Sequence, residues 1–125
     1  MASMTTSALL RVFALSRVAL GLWLAMAPQK PGELWFGSTD HPASTTALIR
    51  SVGARDLGLG LGLVADPRPD SAWLKAGIIA DVGDVIASFL NRDRIPAKNF
   101  LTGFVGAGLY VLMGCAVALF GRTAR

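Results

Sequence analysis

Five charged residues lie near the middle of long apolar stretches of the sequence and are the first candidates for chemistry. They are Arg17, Arg55, Asp56, Asp81 and Asp84. Charged groups in an apolar environment either pair with one another or mark the path of an ion, a proton or a substrate. Asp81 and Asp84 are three residues apart, so both carboxylates lie on one face of a helix. The expected chemistry is therefore ion pairing or proton transfer at membrane depth.

Two functional hypotheses follow from how these charges are paired. Two arginines can neutralise two of the three carboxylates, and an arginine-paired carboxylate holds its charged form and is poorly suited to take up a proton. If one carboxylate is unpaired, we expect it to be Asp84, which lies one turn beyond Asp81 toward Ser88 and Asn91. We favour a structural or accessory membrane component, with a minimal proton, ion or small-solute transporter as the alternative.

Four apolar stretches must position these charges. They cover roughly 8–27, 45–65, 72–91 and 99–120, and all six prolines fall between them. Each stretch is close to the ~20 residues that span the hydrocarbon core of a bilayer as a helix, and proline is excluded from helix interiors. The sequence therefore predicts an all-α fold: a four-helix antiparallel transmembrane bundle, formed as one domain over residues 1–125, with both termini on one side.

Composition supports a membrane location. The chain has 125 residues, of which 53% are hydrophobic and 16% charged. Soluble domains carry about 25% charged residues, so a soluble bundle of this composition would expose large apolar patches. The net charge is +4, but no basic run is longer than two residues, which argues against nucleic acid as a partner.

Glycines indicate where the helices touch. The predicted packing positions are Gly58, Gly62, Gly103 and Gly106. Small residues let helix backbones approach closely in lipid. In the second stretch, Ser51, Arg55, Gly58 and Gly62 recur at helical spacing, which predicts that this stripe faces a neighbouring helix.

Neither a cofactor nor a metal is expected. The chain has one histidine, His41, and one cysteine, Cys115, too few for a zinc, haem or iron–sulfur site. The run from Gly60 to Ala65 fits the dinucleotide pattern G-x-G-x-x-A, but it lacks the strand before it and the helix after it that the pattern requires. No catalytic nucleophile with a base can be assembled, so an enzyme is the least favoured class.

The chain also resembles a known family. Arg17, the run Gly-Ala-Arg-Asp-Leu-Gly-Leu-Gly from residue 53, Trp73 and the Asp81-x-x-Asp84 pair resemble small bacterial four-helix integral membrane proteins of unknown function, and more distantly DoxX-like proteins. The resemblance implies a multi-pass protein of the bacterial inner membrane and implies no reaction. The expected partners are the lipid bilayer and, for a structural component, further copies of the chain or a larger membrane complex.

Overall fold

The described part of the chain is all helical, with no strand. The computed structural model describes residues 2–38 and 40–123. The predicted domain also includes four residues outside the described ones: Met1, Thr39, Ala124 and Arg125. The helices are α1 (Ala2–Met26), α2 (Gln29–Phe36), α3 (Ala43–Ala65), α4 (Ala72–Leu90) and α5 (Ala97–Thr123), with a 3-10 turn at Arg92–Arg94. Four of these helices coincide with the four predicted stretches, although α1 begins at Ala2 rather than near residue 8.

The short helix α2 was not predicted. Its segment was expected to be a loop because Pro28 and Pro31 flank and interrupt it. Pro31, however, falls in the first turn of α2, where backbone N–H groups have no partner within the helix and proline is tolerated. The helix ends at Gly37, which has a φ of 86° and whose N–H donates to the carbonyl of Glu33. Glycine adopts this left-handed conformation without steric penalty.

Helices α1 and α3 form the most closely packed pair, and they run antiparallel. A Cβ at Gly53 would lie 2.5 Å from the backbone nitrogen of Ala25, and one at Gly21 would lie 2.6 Å from the carbonyl oxygen of Gly53. At Gly60 it would lie 2.9 Å from the carbonyl oxygen of Ala14. The two backbones are therefore in direct contact, which only glycine permits.

The buried stripe of α3 differs from the predicted one. The stripe that faces the interior consists of Ile49, Gly53, Asp56, Gly60 and Leu63. Of the predicted stripe, Ser51 and Gly58 are exposed, while Arg55 and Gly62 are half-buried. The helix is rotated because its closest partner is α1, whose backbone reaches Gly53 and Gly60.

Helices α4 and α5 form the second antiparallel pair, and α2 lies against the start of α5. Gly114 of α5 contacts Ile78 of α4. The buried Asn99 donates from Nδ2 to the carbonyl oxygens of Glu33 and Leu34, at 3.0 Å each. This amide therefore holds the end of α2 to the first turn of α5.

A tight turn joins the two pairs between α3 and α4. The buried Ser71 caps α4, its Oγ accepting from the backbone N–H of Trp73 at 3.2 Å, as capping residues do. In the same turn, the hydrogen bond from Arg68 lowers the pKa of the Asp66 carboxyl from its ordinary value. The turn keeps the C-terminal half of α3 beside the N-terminal half of α4.

Two of the long helices are apolar and long enough to cross a membrane: Thr5–Met26 within α1, and Ala97–Thr123. Helices α3 and α4 have 23 and 19 residues. Because both contain several charged residues, their composition does not identify them as membrane spans. Composition and length thus support two of the four predicted spans.

The glycine contacts between α1 and α3 predict a sharp difference between two alanine variants. Gly53→Ala should destabilise the protein by roughly 2 kcal/mol or more, because its Cβ would collide with the backbone of α1. Gly58→Ala on the same helix is the control: no heavy atom among the described residues lies within 4 Å of that Cβ. It should be neutral or stabilising by up to about 1 kcal/mol. Thermal unfolding in detergent compares them, and equal melting temperatures would contradict the close contact.

Candidate functional site

The five predicted charged residues come together in one layer at the middle of the helices. Arg17 lies on α1, Arg55 and Asp56 on α3, and Asp81 and Asp84 on α4. Each residue is within about one turn of the centre of its helix. Ion pairs that join residues of α1, α3 and α4 show that the charges lie at one depth. We call this group the ionic layer.

Arg17 and Asp81 form the most buried ion pair of the ionic layer. Nη1 of Arg17 donates to Oδ1 of Asp81 at 3.0 Å, and Nη2 donates to Oδ2. The side chains are only 3% and 6% exposed. This two-point geometry matches the planar guanidinium to the carboxylate and joins α1 to α4.

Arg55 and Asp84 form a second two-point pair, between α3 and α4. Nη1 of Arg55 donates to Oδ1 of Asp84 at 2.9 Å, and Nη2 donates to Oδ2 at 2.7 Å. The Arg55 side chain is 32% exposed, so this pair lies at the edge of the layer. Asp84 was the residue expected to be unpaired if any carboxylate was, and that expectation is wrong.

Asp56 links the two pairs. Its Oδ1 accepts from Nη1 of Arg17 at 3.3 Å and from Nη2 of Arg55 at 3.0 Å. The result is a continuous chain of alternating charges that runs from Asp81 through Asp56 to Asp84. Two guanidinium groups and three carboxylates give the ionic layer a formal charge of −1.

Aromatic rings complete the surroundings of Arg17. The guanidinium carbon lies 4.9 Å from the ring centroid of Tyr110 and 5.8 Å from that of Phe13, close enough for cation–π attraction. The Tyr110 hydroxyl lies 2.9 Å from Oγ of Ser16. Tyr110 was not among the site residues predicted from the sequence. A lone tyrosine at the centre of the most apolar helix, level with a buried arginine, was the available signal.

The two halves of the bundle on either side of the ionic layer are unlike. On the side of the turn between α3 and α4, a core is filled by Leu10, Phe13, Ala14, Leu63 and Leu74. On the other side lies a cavity of about 270 Å³. Arg17, Asp56, Asp81 and Asp84 form its floor, and Pro31, Leu34 and Trp35 of α2 lie over its far end. The side chains of the ionic layer therefore close the cavity at its floor, and the packed side chains of the core lie beyond them.

The four predicted packing glycines have different surroundings. Gly62 packs against the ring of Trp73, and Gly103 packs against that of Trp35. Gly58 and Gly106 have no heavy atom of the described residues within 4 Å of the position a Cβ would take. Gly106 lines the cavity. The glycines in closest backbone contact, Gly21 and Gly53, were not predicted as packing positions, because their spacing along the chain does not reveal which helix they meet.

Potential metal ligands are few. Among residues 2–38 and 40–123, no group of three or more His, Cys, Asp or Glu side chains is arranged to hold a metal ion. The carboxylates of the ionic layer are occupied by guanidinium groups. His41 is packed near Phe36 at the end of α2, with ring centroids 6.0 Å apart, and Cys115 is half-buried on α5. What the site offers chemically is charge pairing beside an apolar cavity.

Comparison of the chain with protein-family models, with curated proteins and with solved structures gave no match.

The geometry predicts strong coupling between Arg17 and Asp81. Arg17→Leu or Asp81→Leu alone should each destabilise the protein by about 3–5 kcal/mol, because each removes the two-point partner of a buried charge. The double variant should be no less stable than either single variant. Chemical or thermal unfolding in detergent measures the double-mutant cycle.

Two further cycles serve as controls. Arg55→Leu combined with Asp81→Leu removes residues that make no direct contact in the structure, so their coupling should be smaller. The exposed pair Lys30–Glu33, with nitrogen and oxygen 2.9 Å apart, should couple by about 0.5 kcal/mol or less. Additive effects of the Arg17 and Asp81 variants would show that the two residues are not paired.

Proposed function

We propose that the chain is a small multi-pass membrane protein with four spans and both termini on one side, serving as a structural or accessory membrane component. The observation that carries this proposal is the inverted distribution of polarity. Arg17, Asp56 and Asp81 are buried, at 2%, 4% and 4% exposure, whereas large apolar side chains on every long helix are exposed. Soluble proteins do the reverse, and lipid is the solvent that suits such a surface.

Helix α5 gives the clearest support for a lipid environment. It has 27 residues and ends with Arg122 in its last turn. Only 6% of its most apolar window is buried. The core helix of a soluble protein with this composition would be buried, because exposed apolar area opposes folding in water. Leu101, Leu109, Leu112 and Leu119 instead all face outward.

Helices α3 and α4 fit the same proposal despite their charges. Arg55, Asp56, Asp81 and Asp84 are turned toward one another, so the outer face of α4 carries Ile79, Ile86 and Leu90. With 19 residues, α4 is the shortest of the four. At 1.5 Å per residue it is about 29 Å long, which matches a hydrocarbon core of about 30 Å. Pairing of these charges inside the bundle is what would allow both helices to span.

We place the protein in the bacterial inner membrane, and in the family of small four-helix membrane proteins, on the resemblance of its sequence motifs. The ionic layer then acts as a clamp between the α1–α3 pair and the α4–α5 pair. Buried ion pairs specify register and partner more than they add net stability. Exposed apolar faces on all four spans leave room for further copies of the chain or a larger membrane complex around this core.

The alternative, a transporter, is favoured by one observation: the cavity reaches the ionic layer from one side. A conduit also needs a path on the other side, where Leu10, Phe13, Leu63 and Leu74 pack together. Every carboxylate of the layer is already bound to an arginine, as in a structural ion-pair network. These contacts favour the structural component.

The four-span proposal predicts on which side of the membrane each connector lies. In a Cys115→Ser background, single cysteines introduced as Ser38→Cys, Asp70→Cys and Asp93→Cys should divide into two groups. Positions 38 and 93 should react with a membrane-impermeant maleimide from one side of the membrane, and position 70 from the other. Inside-out and right-side-out vesicles provide the measurement.

The same labelling separates this proposal from its competitors. If only α1 and α5 span, positions 38, 70 and 93 will all react from the same side. Alkaline carbonate extraction of the same vesicles supplies the control for integration, since an integral protein stays in the pellet. Release into the supernatant would contradict any membrane-spanning model.

A clamp and a conduit differ in proton flux. We expect proteoliposomes that contain the native protein to pass protons no faster than protein-free liposomes under an imposed potential. The physical reason is the packed core beyond the ionic layer, where Leu10, Phe13, Leu63 and Leu74 fill the space that a proton path would need. Asp84→Asn should leave this baseline unchanged. Clear flux through the native protein that Asp84→Asn abolishes would establish the conduit instead.

A further inference from the structure

The cavity beside the ionic layer has the dimensions of a small-molecule site. Its volume is about 270 Å³, several times the ~30 Å³ share of one water molecule. Its side walls are apolar, from Leu20 and Leu24 of α1 and Gly106 and Ala107 of α5. Such walls do not supply the six or more oxygen ligands that a hard inorganic cation requires. An organic molecule with an apolar body is a better match.

The floor of the cavity determines the charge of that molecule. The ionic layer has three carboxylates and two guanidinium groups, so one negative charge has no counter-charge within the layer. Asp56 shares its Oδ1 between both arginines and itself lines the cavity. A surplus charge in a site with little water is unfavourable unless an opposite charge lies beside it. A monovalent cation in the cavity would supply that charge.

The aromatic residues agree with a cationic ligand. Trp23, Trp35 and Tyr110 line the cavity. Tyr110 already faces Arg17, but the two tryptophans have no cation against their rings among the contacts of the described residues. Tryptophan offers the strongest cation–π attraction of any side chain and accepts a quaternary ammonium group readily. Apolar walls, aromatic rings and a net negative floor together describe a site for a lipophilic ammonium.

We infer that this cavity binds a hydrophobic monovalent ammonium compound, with the cationic group near Asp56 and the apolar body between α1 and α5. Because the ionic layer and the packed core close the floor, the ligand enters and leaves on the α2 side, where Trp23 and Leu34 are partly exposed, at 42% and 41%. The cavity is then a binding site and not a passage across the bundle, because the core of Leu10, Phe13, Leu63 and Leu74 fills the other side of the ionic layer.

Three probes of similar shape separate charge recognition from simple apolar filling. Benzyltrimethylammonium is the cation, neopentylbenzene its uncharged isostere and benzylsulfonate an anion of similar size. Fluorescence of Trp23 and Trp35 in detergent-solubilised protein reports binding, so the result does not depend on the number of spans. The cation should bind at least about tenfold more tightly than either other probe, as one full charge and its ring contacts would produce. Equal binding of the neutral isostere, or preference for the anion, would overturn the inference.

Two glycines on α5 provide matched variants that retain the fold. Gly106 lines the cavity and Gly108 does not, and neither has a heavy atom of the described residues within 4 Å of its Cβ position. Gly106→Leu should fill the cavity and weaken binding of the cation at least about tenfold, whereas Gly108→Leu should change it less than about twofold. Equal effects of the two variants would place the ligand outside the cavity.

The surplus charge has its own test. Asp56→Asn brings the ionic layer to neutrality and should remove the preference for the cation over neopentylbenzene. Asp93→Asn, in the exposed 3-10 turn, is the charge-matched control and should preserve that preference. If Asp56→Asn lowers the melting temperature too far for titration, the Gly106 and Gly108 variants still decide the location of the site. A preference for the cation that survives in Asp56→Asn would contradict the assignment of the ammonium group to Asp56.

Discussion

A guanidinium group in the middle of an apolar helix can be accommodated only if a carboxylate meets it at the same depth. Arg17 imposes this condition on the whole chain, because its partner Asp81 lies on α4, 64 residues further along the sequence. The α1–α3 pair is held by glycine contacts and the α4–α5 pair by its own packing, and the ionic layer joins the two. Connector lengths, helix rotations and the position of Tyr110 are consistent with bringing five charges to one plane.

The positions of the long helices could be predicted from sequence, because the exclusion of proline and the length of an apolar stretch are local constraints. Pairing within the ionic layer could also be predicted, since shared depth and opposite charge suffice. The partners of individual residues could not. In α3, the glycines lie on two different faces, one with Gly58 and Gly62 and the other with Gly53 and Gly60. Both faces have helical spacing, and only the contact with α1 shows that Gly53 and Gly60 lie at the interface. Helix α2 was missed because eight residues with an internal proline have no pattern of their own.

The cavity was beyond sequence reasoning for a different reason. No residue type or spacing marks a cavity in a sequence. The volume of the cavity depends on the distance between the two helix pairs, which the ionic layer and α2 determine. The half of the bundle near the α3–α4 turn is filled because that turn holds the pairs together, with Ser71 and Leu74 fully buried there. At the opposite end the pairs are linked through α2 and Asn99. The short α3–α4 turn at one end therefore gives a packed half, and the longer link through α2 at the other end leaves the half that contains the cavity.

The division of charge between the two helix pairs has a consequence for the order in which the protein is assembled. The segment made first, through α3, contributes Arg17, Arg55 and Asp56 to the ionic layer, a net +1 of that layer. The segment made second contributes Asp81 and Asp84, a net −2. If the four-span proposal holds, a hairpin of α1 and α3 made before α4 would hold an unmatched cation of this layer, which is unfavourable in hydrocarbon. That hairpin would stay in a polar or protein-lined environment until α4 emerges, and the chain would enter its final state as one unit rather than as two successive hairpins.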